Sequence, residues 1–187
     1  MIATRDDVCR QAGLQYGWLP HAFQAPRTLR GWLSDRGSLT QRLRSRYRDF
    51  RVLPVLRGVA APFPDESGAL GLARDASAYV RDVLLLGDGK ARVFAHSVLP
   101  RAALRGGWNG IARLGTRPLG EALFRTPRVR RLAMTMRRVD ARHPLYCAAR
   151  RHAEVAERAL WARRSVFCLD GHPLLVSEVF LPALLTP

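Results

Sequence analysis

The sequence predicts an α+β domain built on an antiparallel sheet, and three observations carry that expectation. Residues 79 to 86 and 91 to 99 are runs of β-forming residues joined at Gly87-Asp88-Gly89, a hairpin signal. Ser165 to Leu169 and Leu174 to Leu181 repeat the arrangement around Asp170-Gly171-His172-Pro173. Between these and two further strand-like runs lie short segments with helical apolar spacing. Strands near 50, 79, 91, 131, 165 and 174 make a sheet of about six strands.

In chain order, residues 1 to 27 contain Pro20 and Pro26 and no sustained periodicity, which predicts an irregular arm ahead of a single domain spanning 28 to 187. From Thr28, the apolar positions Leu29, Trp32, Leu33, Leu39 and Leu43 predict two short helices broken at Gly37, with Ser38 or Thr40 placed to cap the second. Residues 50 to 59 form a strand that Pro54 marks as an edge or bulged one. Residues 60 to 71, AAPFPDESGALG, read as a loop. After the first hairpin, residues 108 to 126 read as a loop followed by a short helix begun at Pro118. Residues 129 to 139 alternate as a strand. Leu145, Ala148, Ala149, Ala153, Ala156, Leu160 and Trp161 then predict a helix over 145 to 162 that delivers the chain to its terminal hairpin.

Two charged residues stand out on apolar faces of these strands. Glu178 has Leu174, Val176 and Phe180 on its own strand face and Leu175, Val179 and Leu181 on the other, so neither face is clearly wet. An ionised acid is costly to bury alone, which makes Glu178 either half of a structural ion pair or a working group in a cleft. Arg81 repeats the problem, with Tyr79, Val83 and Leu85 beside it and Val80, Leu84 and Leu86 opposed. It is either an internal salt-bridge partner, with Glu178 among the candidates, or a fork for a bound carboxylate.

Composition narrows the alternatives. A hydrophobic content of 48% is enough for a packed core, and the formal net charge is +16. Lys90 is the one lysine among 31 basic residues. So complete a skew toward arginine points to a compositional bias over a solvated surface more than to a dedicated nucleic-acid face, so no specific nucleic-acid partner is expected. Cys9, Cys147 and Cys168 show no paired spacing, which suggests neither disulfides nor zinc, and a reduced, cytoplasmic setting fits. The N-terminus lacks a continuous apolar signal, and nowhere do about 18 apolar residues run uninterrupted, so no transmembrane segment is expected. No GxxxxGK[ST], GxGxxG after a strand, HExxH or GxSxG occurs, and the five histidines are dispersed, so neither metal nor nucleotide site is indicated.

The ordered segments YVRDVLLLGDGKARVFAHSVLP, LGTRPLGEALF and LWARRSVFCLDGHPLLVSEVFLP resemble the chorismate lyase family. The resemblance covers most of residues 30 to 182. It implies a single antiparallel sheet of about six strands with helices on one side and two helix-turn-helix flaps over an enclosed site. It also implies conversion of chorismate to 4-hydroxybenzoate and pyruvate at the start of ubiquinone synthesis, by a monomer needing no metal or organic cofactor. By that resemblance Arg81 holds the ring carboxylate, Glu178 meets the 4-hydroxyl end as proton acceptor or as orienting group, and Leu39 and Leu119 contact the ligand from the two flaps. The same fold resembles effector-binding domains of bacterial transcription regulators, so a non-catalytic sensor of aromatic carboxylates is the alternative. Such regulators carry a DNA-binding domain, for which a lead of roughly thirty residues is short.

Overall fold

The computed structural model describes residues 17–73 and 75–186. The elements run α1 (Arg27–Ser34), α2 (Leu39–Arg46), β1 (Phe50–Ala60), α3 (Pro64–Leu70), β2 (Ala78–Gly87), β3 (Lys90–Pro100), α4 (Leu119–Arg125), β4 (Arg130–Asp140), α5 (Pro144–His152), β5 (Ala159–Leu169) and β6 (His172–Phe180). Short 3-10 turns at Arg101–Arg105 and Ile111–Arg113 lead into α4. Of the expected N-terminal arm, residues 1 to 16 lie outside the described residues. Beyond them, Trp18 is buried, and Leu19 pairs with Met136 of β4 through two backbone hydrogen bonds.

The six strands form one antiparallel sheet in the order β1-β2-β3-β6-β5-β4. Both expected hairpins are present. Each turns on an Asp-Gly pair with positive φ, at Asp88 (49°) and Gly89 (75°) and at Asp170 (52°) and Gly171 (76°). Two consecutive left-handed residues give a turn whose twist matches that of the strands, and Asp is among the few residues besides glycine to tolerate that region. β1 is an edge strand whose register shifts between Pro54 and Leu56, where proline removes a ladder donor. At the start of α2, Ser38 supplies the cap by accepting from the Gln41 backbone N–H.

Strand alternation sorts residues onto two faces. On the first, α1 and α2 pack Leu29, Trp32, Leu33 and Leu43 against Val83, Leu85 and Phe180, and the 101–125 segment packs Trp108, Ile111 and Leu123 against Tyr79, Leu99 and Phe167. The helices on this face are those the resemblance implied, and helices also cover the other face. There α5 packs against Leu84, Phe94 and Val179, and α3 places Ala69 and Leu70 against Val80, Val98 and Leu175. Both faces of the central strands are apolar, so both require cover.

Two local expectations are corrected. Residues 60 to 71 are not all loop: Pro64 opens a helix, the Glu66 side chain accepts from the Phe63 N–H at 2.9 Å, and Gly71 closes it at φ 62°. These are ordinary start and stop signals, crowded so closely that they read as loop composition. The helix expected over 145 to 162 ends at His152, and Leu160 and Trp161 belong to β5. From Ala159 onward the chain pairs with β4, and from Trp161 with β6 as well, and two ladders outweigh a run of alanines at helical spacing.

Helix α3 brings two acids under the back of the sheet. Glu66 Oε1 lies 3.1 Å from His96 Nε2, whose Nδ1 lies 2.5 Å from Asp82 Oδ1. Asp65 Oδ2 accepts from Trp18 Nε1 at 2.9 Å and from Arg164 Nη1 at 3.0 Å, with His143 Nε2 at 3.5 Å. Burial alone would lower the His96 pKa, but the Glu66 and Asp82 carboxylates outweigh it and hold it at about 10. Burial would likewise raise Asp65, yet hydrogen bonds from His143 and Trp18 and the Arg164 charge bring it down to about 2.

A raised histidine pKa adds stability that is complete below the unfolded value and lost as pH rises through the folded one. A depressed Asp pKa adds stability lost on the acid side. Urea unfolding should therefore show stability falling from pH 7 toward 10 by up to about 1.4 kcal/mol per pH unit, and falling again below about pH 4. A profile flat between pH 7 and 10 would mean a neutral His96 in the folded protein.

Candidate active site

Register places the site on the face opposite the His96 cluster. Arg81 of β2 pairs with Ser97, Ser97 with Val176, and Val176 with Ser165. Two residues further along, on the same face, Glu178 of β6 lies between Ala95 of β3 and Arg163 of β5. Arg81 and Glu178 thus share a floor, two strands and two residues apart, roughly 12 Å between backbones by ordinary strand spacing. Ala95 keeps the floor low beside the acid.

The pocket above this floor has ≈ 540 Å³ of space between its atoms, part of it open to solvent, and its walls include Leu39, Arg81, Leu119 and Glu178. All four residues named in the sequence are therefore brought together. The α1–α2 segment forms one flap and the 101–125 segment the other. They meet over the pocket, where Arg44 of α2 pairs with Glu121 of α4. A Cβ on Gly120 would lie 2.9 Å from Thr40 Oγ1 and 3.2 Å from Ser38 Oγ, so glycine is what lets the flaps touch so closely.

Each flap is tied to the floor by a buried arginine. Arg163, 1% exposed, pairs through Nε with Glu178 Oε2 and donates from Nη1 to the carbonyls of Trp32 (3.0 Å) and Asp35 (2.7 Å) in the first flap. Arg81, 3% exposed, donates from Nη2 to Gly115 O at 2.9 Å and Arg117 O at 3.2 Å in the second. Among the described residues no carboxylate lies within ion-pair distance of Arg81. Burial accordingly pushes its pKa down, opposed only weakly by Tyr79.

Of the two alternatives posed for each residue, the structure gives Glu178 an ion pair, but with Arg163 rather than Arg81. Glu178 Oε1 has no hydrogen-bond partner among the described residues and remains available at the pocket. Sequence reasoning missed Arg163, although the same alternation that singled out Arg81 places Arg163 on the floor beside Ser165 and Phe167. It also missed Arg131 of β4, a wall of the same pocket. Among the described residues no three His, Cys, Asp or Glu side chains are grouped as a metal site would need.

Residues 17–186 match a family model described as chorismate lyase. The chain belongs to the chorismate lyase family. Its relatives include a probable chorismate pyruvate-lyase from Aromatoleum aromaticum, 48% identical over 174 residues that cover 90% of this chain and 93% of that protein. Another, from Nitrosomonas europaea, is 40% identical over 89% of this chain and 94% of the relative. Membership makes this chain an enzyme. Among solved structures, the PhnF C-terminal domain superposes with a TM-score of 0.56 at 14% identity, over 70% of this chain and 82% of that one. The C-terminal domain of a histidine utilization repressor from Pseudomonas syringae pv. tomato does so at 0.52 and 7% identity, over 72% and 93%. Those likenesses show the fold of the lyase-family chain to be shared with regulator domains, and nothing of its chemistry.

Replacing Arg163 by Met should leave the half-buried Glu178 without its partner and free the first flap from the floor. We expect a loss of about 3 to 5 kcal/mol in unfolding free energy. Hydrogen exchange should rise first in residues 27–46. Unchanged exchange there would mean that apolar packing alone holds the flap.

Proposed function

We propose that this lyase-family enzyme converts chorismate to 4-hydroxybenzoate and pyruvate, supplying the aromatic ring for ubiquinone synthesis. The observation that carries the reading is a buried arginine, Arg81, in one pocket with an acid, Glu178, where among the described residues the arginine has no acid partner and the acid keeps a free oxygen. Such a pair matches a ligand with a carboxylate at one end of a ring and a hydroxyl at the other. Arg81 spends one nitrogen on flap carbonyls and has further N–H groups for a carboxylate. Glu178 Oε1 accepts from the hydroxyl or takes a proton, while Arg163 fixes its other oxygen. Leu39 and Leu119 close the apolar middle from the two flaps, with backbone groups at Leu119 as further contacts.

In the reaction the ring–oxygen bond to the enolpyruvyl group breaks, and the hydrogen on the neighbouring, hydroxyl-bearing carbon leaves as a proton. The ring becomes aromatic, and the departing enolate takes up a proton to become pyruvate. Atoms and electrons balance without oxidant or reductant, so the proposal includes no cofactor. What remains for the protein is to hold a dianion in one pose, exclude water and place an acceptor near the lost proton. Cytoplasmic location, a monomeric state and a basic charge that serves no nucleic acid belong to the same proposal. The aromatic-acid sensor stays second, favoured only by the fold shared with regulator domains.

Purified protein given chorismate alone should yield 4-hydroxybenzoate and pyruvate in equal amounts, unaffected by chelator. Folded protein that binds 4-hydroxybenzoate but forms neither product would promote the sensor. Arg81→Ala should weaken 4-hydroxybenzoate binding by about 2 to 5 kcal/mol, with Lys a poor substitute because it lacks the planar fork. Glu178→Gln should slow single turnover by roughly a hundredfold or more per folded molecule if the acid moves the proton. A parental rate in that variant would leave Glu178 with orientation and the Arg163 pair alone.

A further inference from the structure

The pocket contains more positive charge than its one acid neutralises. Its charged walls are Arg81, Arg131, Arg163 and Glu178, of which Arg163 and Glu178 form a pair. Arg81 stands on β2 at one side of the floor. Arg131 stands on β4 at the other, four strands away in the order β2-β3-β6-β5-β4. Arg131 donates from Nη1 to Arg36 O at 2.7 Å, and its guanidinium lies 4.8 Å from the Phe167 ring centre and 5.3 Å from that of Phe124. Its Nε is buried, and among the described residues it has no hydrogen-bond partner and no carboxylate lies within ion-pair distance. On the neighbouring strand, Ser165 lines the same pocket, and its Oγ is likewise buried and without a partner among the described residues. A guanidinium among aromatic rings with an orphaned donor is costly until an anion completes it. Burial and the neighbouring Arg163 charge both push the Arg131 pKa down, which is the same cost in another form.

We propose that Arg131, with the Ser165 hydroxyl beside it, binds the second carboxylate of a dianionic substrate, across the floor from Arg81. With chorismate, on which this assignment rests through the function proposed above, that group is the enolpyruvyl carboxylate, which departs in pyruvate. Substrate is then held at both ends of the floor and 4-hydroxybenzoate at one. Arg131 is a specificity-determining residue: it selects substrate over product and leaves its counter-charge to pyruvate once the bond has broken.

A competing role is mechanical, because Arg131 touches Arg36 in the first flap and Phe124 in the second. Binding measurements on the full chain separate the two. The probes are 4-hydroxybenzoate and its non-reacting dianionic ether, 3-(carboxymethoxy)-4-hydroxybenzoate, titrated by calorimetry into parent, Arg131→Met, Arg131→Lys and Ser165→Ala. We expect Arg131→Met to weaken the dianion by about thirtyfold or more while changing 4-hydroxybenzoate by less than about threefold. Arg131→Lys should recover part of the loss, and Ser165→Ala should show the same selectivity on a smaller scale. Parallel weakening of both ligands would make Arg131 a strut and overturn the assignment, as would a dianion affinity indifferent to its removal. Because neither probe reacts, failure of the parent to turn over chorismate would sink the proposed reaction without touching this result.

Discussion

A guanidinium taken out of water must find acceptors for its donors, and on the pocket face that requirement organises the molecule. Arg163 finds Glu178 and two carbonyls of the first flap, and Arg81 finds two carbonyls of the second. Neither flap is therefore a free lid resting on apolar contacts. Each is fastened by a side chain that also forms a wall of the pocket, so a ligand that recruits those donors acts on the closure of the site as well as on its own affinity. Arg164, the next residue along, donates from Nη1 to Asp65 on the far face.

Much of this was legible because strand alternation is local. Tyr79 to Leu86 and Leu174 to Leu181 each place, within eight residues, a charge among apolar side chains on its own strand face, and that pattern singled out Arg81 and Glu178 without knowledge of where either strand lies. The Asp-Gly turns were legible for the same reason. The partner of Glu178 was not, because it depends on how β5 meets β6 across the sheet, a register set by non-local pairing. Arg163 and Arg164 look alike in sequence, yet one serves the pocket and the other the back. Arg131 was hidden more deeply. It lies in the basic run Arg128 to Arg131, where composition suggests solvent, and only the rings of Phe124 and Phe167 turn it inward.

The back-face cluster was missed through α3. Its seven residues hold proline, two acids, serine and glycine, the composition of a loop, and its role as a carrier of buried carboxylates appears only once Asp65 and Glu66 are seen to meet Arg164, His143 and His96. The extended reading of α5 failed for the opposite reason. Alanines at 153 and 156 suited a helix well enough, but the sheet had a vacancy between β4 and β6 that the following residues were better able to fill. In the second of these places tertiary demand overrode a local preference of small size.

Along β3, Ala95 and Ser97 face the pocket while His96 between them faces Glu66 and Asp82; along β5, Arg163 and Ser165 flank Arg164 in the same manner. Pocket walls and the back-face ion cluster thus alternate along the same strands. A descendant could exchange every second residue, recut the cavity for a different aromatic acid and leave the ionic underside that holds the sheet together untouched.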